Sequence, residues 1–185
     1  MEISGSAGGL IYGGNPVGYA GYSDVAASGY GNPARLNNGW QVVGRFTVNT
    51  GRWLSHEAGA GYGRNSLDLE WNDLFTIHYP RASTIGFYDL LLCATPQNAQ
   101  FRPCIAAGGH VIRYDVAGQT LEVLGNEVQT KAGLNFGGTA KFRLGENWYV
   151  RFDLRDYTNP KPFGLLGKEG WMHQTEVSAG FGLRF

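Results

Sequence analysis

Four histidines, two cysteines and fifteen acids balanced by fifteen bases are the groups in this chain of 185 residues that could do chemistry. Their spacing argues against several kinds. A zinc-protease helix carries a second histidine after His-Glu, but His56-Glu57 is followed by Ala60 at that position. Two residues after His56 stands Ala58, and two after His110 stands Ile112, so neither imidazole has a nearby hydroxyl to activate. Asp68, Glu70 and Asp73 are close together, yet their intervals match no established calcium loop and suit a solvated loop. Gly59, Gly61 and Gly63 lack the following helix that a nucleotide-binding turn requires. No catalytic residue, metal ligand or cofactor is therefore expected. The formal net charge of zero gives no electrostatic reason to expect a nucleic-acid partner.

The remaining charges fall at alternate positions of apolar segments, and that pattern defines the elements. Thr175 to Phe185 sets Thr175, Val177, Ala179, Phe181, Leu183 and Phe185 against Glu176, Ser178, Gly180, Gly182 and Arg184. This is a strand with two unlike faces, the polar one small and glycine-rich as in a crowded, closed interior. Trp148 to Tyr157 alternates most cleanly, with Trp148, Val150, Phe152 and Leu154 opposite Tyr149, Arg151, Asp153 and Arg155. Further strands are expected over Glu2–Tyr12, Gly39–Asn49, Trp53–Asn65, Thr84–Thr95, Phe101–Tyr114 and about Asn126–Leu144.

Connections between these strands alternate between long and short. Gly13–Asn38, Ser66–Ser83, Asp115–Gly125 and Thr158–Gln174 read as long polar loops, whereas Asn49–Arg52, Pro96–Gln100 and Gly145–Asn147 read as tight turns. Hydrophobic content is 43%, yet no apolar run approaches a membrane helix, so a bilayer could be crossed only by a closed barrel. The expectation is all-β: one domain over 1–185, an eight-stranded antiparallel up-and-down transmembrane barrel with long external loops and short periplasmic turns.

With the apolar faces turned to lipid, Arg45, Glu57, Asp89, Arg102, Lys141, Arg151, Asp153, Arg155, Glu176 and Arg184 point inward. A barrel of this size is filled by its own side chains, so these charges are expected to pair. A structural plug is the leading reading and a gated ion path the alternative. Cys93 and Cys104 flank one tight turn on the inward face, where a disulfide near the periplasmic rim or two unpaired small residues would both fit. Trp40, Trp53, Trp148 and Tyr149, with Tyr62, Tyr114 and Tyr157, lie near strand ends and read as interface aromatics. Trp71 and Trp171 in the loops offer a carbohydrate platform as a lesser reading.

Ser178, Gly180, Leu183 and Phe185 resemble the C-terminal assembly signal of bacterial outer-membrane barrels. Phe101-Arg102-Pro103-Cys104 onward, and Gly133-Leu134-Asn135-Phe136 through Trp148-Tyr149-Val150-Arg151-Phe152, are similar to strands of OmpA-like (OmpA/OmpX-type) small barrels. The resemblance implies an outer-membrane location with a removed signal peptide, both termini periplasmic, and the barrel assembly machinery and outer-membrane lipid as partners. It implies a structural or interaction role, with the loops open to a protein partner. No peptidoglycan-binding domain follows, so an anchoring role is not expected. Rival readings are a lipid-modifying enzyme of the outer membrane, a subunit of a larger assembly, and a soluble lipocalin-type barrel with its apolar faces inward.

Overall fold

The computed structural model describes residues 1–13, 15–20, 32–71, 75–116, 129–163 and 170–185. Among the described residues there are ten strands: β1 (Glu2–Tyr12), β2 (Gly18–Ala20), β3 (Asn32–Leu36), β4 (Gly39–Asn49), β5 (Leu54–Trp71), β6 (Phe75–Cys93), β7 (Phe101–Val116), β8 (Gln129–Arg143), β9 (Trp148–Pro160) and β10 (Trp171–Arg184). Eight of them close in the order β5-β4-β1-β10-β9-β8-β7-β6, with β6 returning to β5. All pairings are antiparallel, and within the ring of eight each joins strands consecutive among the eight except the closing pair of β1 with β10, where Glu2 faces Arg184 and Tyr12 faces Gln174. Closure removes the free edges of these eight strands, as a sheet in lipid requires.

Alternation fixes the register. Along β9 every second residue from Tyr149 to Asp153 is buried and those between are exposed or half-buried; a slip of one residue would turn Arg151 and Asp153 outward. Two inward rings fit only because the facing strand carries glycine. A Cβ on Gly59 would lie 2.3 Å from the Phe87 ring, and one on Gly182 would lie 2.2 Å from that of Tyr149. In both cases the ring covers its direct cross-strand partner.

The long-connection end departs from the sequence reading. Ser66–Ser83 was expected to be a loop, but β5 and β6 run on as a paired ladder to Trp71 and Phe75. Within Gly13–Asn38, β2 pairs with β3, and β3 pairs with β5 so that it prolongs β4 along its neighbour. Thr158–Gln174 is shorter than expected, since β9 reaches Pro160 and β10 starts at Trp171. Several outer residues of these extensions, among them Arg35, Ser66, Glu70, Thr76 and His78, are polar, which blurs the contrast between faces, while Leu67, Leu69, Ala34 and Leu36 continue the inward face and are buried.

The interior has two zones. Toward the long-connection end an apolar cluster holds Leu10, Tyr12, Leu36, Leu67, Ile112, Tyr114, Tyr157 and Phe163. Below it the bore is filled by charged and hydroxyl side chains.

Candidate functional site

The expected inward charges meet in the middle of the barrel. Arg45 from β4 lies 2.6 Å from Glu176 of β10 and 3.7 Å from both Glu57 of β5 and Asp153 of β9. Arg151 lies 3.0 Å from Glu57 and 2.6 Å from Asp153, and Arg155 lies 3.1 Å from both Glu57 and Asp89. These side chains have no solvent exposure. Hydroxyls and amides complete the acceptor shells. Tyr157 donates to Glu176 at 2.7 Å, Thr47 donates to Glu57 at 2.8 Å, and Asn135 donates to Asp89.

A second cluster lies at the short-turn end. Glu2 takes Lys141 at 2.5 Å and Arg102 at 3.8 Å. Glu2 was missed in the sequence reading, although it shares parity with Ser4 and Ser6, which also turn inward. Together the two clusters set Glu2, Glu57, Asp89, Asp153 and Glu176 against Arg45, Arg102, Lys141, Arg151 and Arg155, so the two clusters taken together are formally neutral. Arg184 joins no ion pair among the described residues and donates to the Gln97 carbonyl at 2.8 Å. The arrangement packs cations against anions across the bore, as a plug requires.

Cys93 and Cys104 are bonded, and they are direct partners in the ladder of β6 with β7. Trp40, Trp53 and Trp148 point outward, with Trp40 toward the long-connection end against Tyr62 and the other two at the short-turn end. Tyr149 does not join them. It is 5% exposed and its ring lies 5.4 Å from the Lys141 ammonium, because it shares parity with Arg151 and Asp153. Tyr114 and Tyr157 are likewise buried inside. In β10 Ser178 is buried inward, while Phe185 is 71% exposed beyond the strand. Trp171 is 59% exposed at the long-connection end. For Trp71 only the backbone is described, and Asp73 lies outside the described residues.

The histidines are dispersed. His56 Nδ1 lies 2.5 Å from the Tyr88 hydroxyl on the outer face, and His110 lies inside, 3.5 Å from Asn159. Asp68 is engaged by His78 at 2.8 Å, by Ser66 at 3.1 Å and by Asn37. The sequence reading overlooked an Asp-His-Thr contact, since its members lie on neighbouring strands. His173 Nδ1 is 2.8 Å from Asp156 and 3.2 Å from Thr158 Oγ1, which itself donates to Asp156. An acyl-transfer triad needs the carboxylate on one imidazole nitrogen and the nucleophile on the other. Here carboxylate and hydroxyl crowd the same nitrogen. Among the described residues no three His, Cys, Asp or Glu side chains are placed to share a metal ion.

A closed eight-stranded antiparallel barrel with an apolar exterior and a charged, filled bore is the fold of the small outer-membrane barrels. Solved structures carry the same architecture at low sequence identity. The chain is similar along its whole length to 96% of Neisserial surface protein A (NspA), with 12% identity and a TM-score of 0.56. It is similar to 97% of the N-terminal β-barrel domain of Pseudomonas aeruginosa OprF, with 14% identity and a TM-score of 0.54. It also matches 98% of Yersinia pestis Ail, the attachment invasion locus protein solved with the heparin analogue sucrose octasulfate, with 12% identity and a TM-score of 0.50. No family model and no curated protein matches the chain.

Proposed function

We propose that this protein is a structural and interaction barrel of the bacterial outer membrane, with its long-connection end outside the cell and both termini in the periplasm. The observation that carries this reading is the pairing of an apolar outer face with a bore closed by buried ion pairs. Ile105, Leu134, Phe136, Phe152, Leu154, Val177 and Phe181 are all exposed on the outside of strands whose inner residues are charged. An exposed apolar surface of this extent needs a cover, and lipid is the cover that suits a barrel. Trp40 at one level and Trp53 and Trp148 at the other would stand in the two interfaces.

A filled bore leaves the external connections as the place for recognition. The extended β5–β6 hairpin and β2–β3 raise those connections above the lipid and offer a surface to a protein partner. Ser178, Gly180, Leu183 and Phe185 would serve the barrel assembly machinery, with Leu183 and Phe185 on the apolar side and Ser178 and Gly180 inside. Trypsin added to intact cells tests the orientation. Cleavage after Lys168, in the connection from β9 to β10, supports it, and cleavage there only after the outer membrane is opened contradicts it.

A further inference from the structure

One buried cation stands apart from the plug. Arg81 projects from β6 into the apolar cluster at the long-connection end and is only 3% exposed. Among the described residues every other buried arginine or lysine in the barrel is ion-paired with a carboxylate, whereas no nitrogen of the Arg81 guanidinium has a hydrogen-bond partner among them. Asp115, the acid beside Tyr114 on β7, is held by Arg113 at 3.0 Å. The guanidinium carbon lies 4.8 Å from the ring centroids of both Tyr114 and Phe163. Ring faces stabilise the charge but accept none of its five N–H donors. A charge buried without an acceptor is unfavourable, so the fold is incomplete at this point.

Its surroundings are aromatic and apolar. Phe163 holds its ring against Arg81 from a φ of 76°, a left-handed conformation that bulky residues adopt only when their surroundings enforce it. The hydroxyls of Tyr12 and Tyr114 donate to Gln174 at 2.9 Å and to Asn159 at 3.2 Å, and neither oxygen accepts a hydrogen bond from Arg81. A neighbouring cleft of about 100 Å³ is lined by Tyr12, Val17, Leu36, Lys161, Trp171 and Met172; Tyr12, Val17, Leu36 and Met172 belong to the packed cluster that also holds Tyr114 and Phe163, while Arg81 itself does not line the cleft. Lys161 is the cation that lines this cleft.

From these contacts we infer that Arg81 is the base of an oxyanion-binding site at the outer end of the barrel. The site takes the phosphate, sulfate or carboxylate of a molecule whose apolar part packs on the surrounding rings and aliphatic side chains. A planar guanidinium bonds such a group through two parallel N–H donors, which is the contact Arg81 has left open. The inference rests on the proposed orientation only for the source of the ligand, since a site at the external end draws on the medium or on outer-leaflet headgroups.

The test follows the Arg81 Nε–Hε resonance of the whole protein in phosphatidylcholine nanodiscs during titration with inorganic phosphate, with chloride as control. The expected result is a saturable shift with phosphate that chloride does not reproduce. Arg81→Lys should bind phosphate roughly 10- to 100-fold more weakly, the loss that follows from removing a charged bidentate contact. In parallel, phosphate should raise the thermal midpoint of the native protein and leave that of Arg81→Met unchanged. The same shift in phosphatidylglycerol nanodiscs without phosphate would assign the source to a headgroup. An unmoved resonance, or equal shifts with phosphate and chloride, would overturn the site, as would equal stabilisation of Arg81→Met. Reagents that label Lys161 only from the periplasmic side would instead overturn the orientation and leave the site standing.

Discussion

Arg151 and Glu57 meet across the full width of the bore. Arg151 sits on β9 and Glu57 on β5, four places apart in either direction around the closed ring of strands. Arg151 Nη1 donates to Glu57 Oε2 at 3.0 Å and Nη2 donates to Oε1 at 3.2 Å. A bidentate pair spanning opposite walls ties the barrel shut along its diameter.

Loss of either member should be costly. Glu57→Gln leaves Arg151 and Arg155 short of an anion inside the bore, and we expect a destabilisation of about 3–5 kcal/mol. Replacing both Arg151 and Glu57 by apolar residues of similar volume should cost less than the two single changes added together. Urea unfolding from lipid, followed by the mobility of unboiled samples on a denaturing gel, gives all three values.

The outer face should tolerate a charge according to depth. Phe136→Arg places a cation in the middle of the apolar band and should cost about 2–4 kcal/mol, whereas Trp171→Arg beyond the band should cost about 0–1 kcal/mol. Equilibrium folding into phospholipid vesicles measures both. Equal costs would remove lipid from the account.

The Cys93–Cys104 disulfide closes a short loop between strands that are already paired. Replacing both cysteines by serine should lower stability by no more than about 3 kcal/mol and leave the register of β6 with β7 unchanged. Denaturant midpoints with and without reductant check the first part. Backbone amide exchange checks the second.

Removal of Phe185 separates assembly from stability. Phe185 lies outside the ladder of β10 with β9, so the purified variant should refold in detergent to the same gel mobility and nearly the same midpoint. In cells the folded form should decline in the outer membrane. An equal loss in both settings would make Phe185 an ordinary stabilising residue.

Strand parity was the legible part of the fold. Arg45, Glu57, Asp89, Arg151, Asp153, Arg155 and Glu176 were placed together by alternation alone, because one face of each segment is apolar and the other is not. Which acid meets which base was not legible, since partners such as Arg151 and Glu57 are set by closure of the ring and its stagger. Tyr149 shows the danger of reading residue type over parity. As an aromatic residue at a strand end it suggested an interface, yet its position beside Arg151 sends it inward. Ser66–Ser83 failed for the opposite reason. Beyond the band a strand faces water outside, and serine, asparagine and aspartate there resemble a loop even while the ladder continues. Arg81 lay within that stretch, so its burial was hidden with it.

The account turns on which face of the strands meets lipid, and methyl groups of the native chain report it without substitution. In nanodiscs with protonated acyl chains, magnetisation transfer from lipid should reach Ile105, Leu134, Leu154 and Val177, which are exposed, and should miss Leu67, Leu91 and Ile112, which are buried. Transfer to the second set, or to neither, would contradict a lipid-embedded barrel with its charges inside.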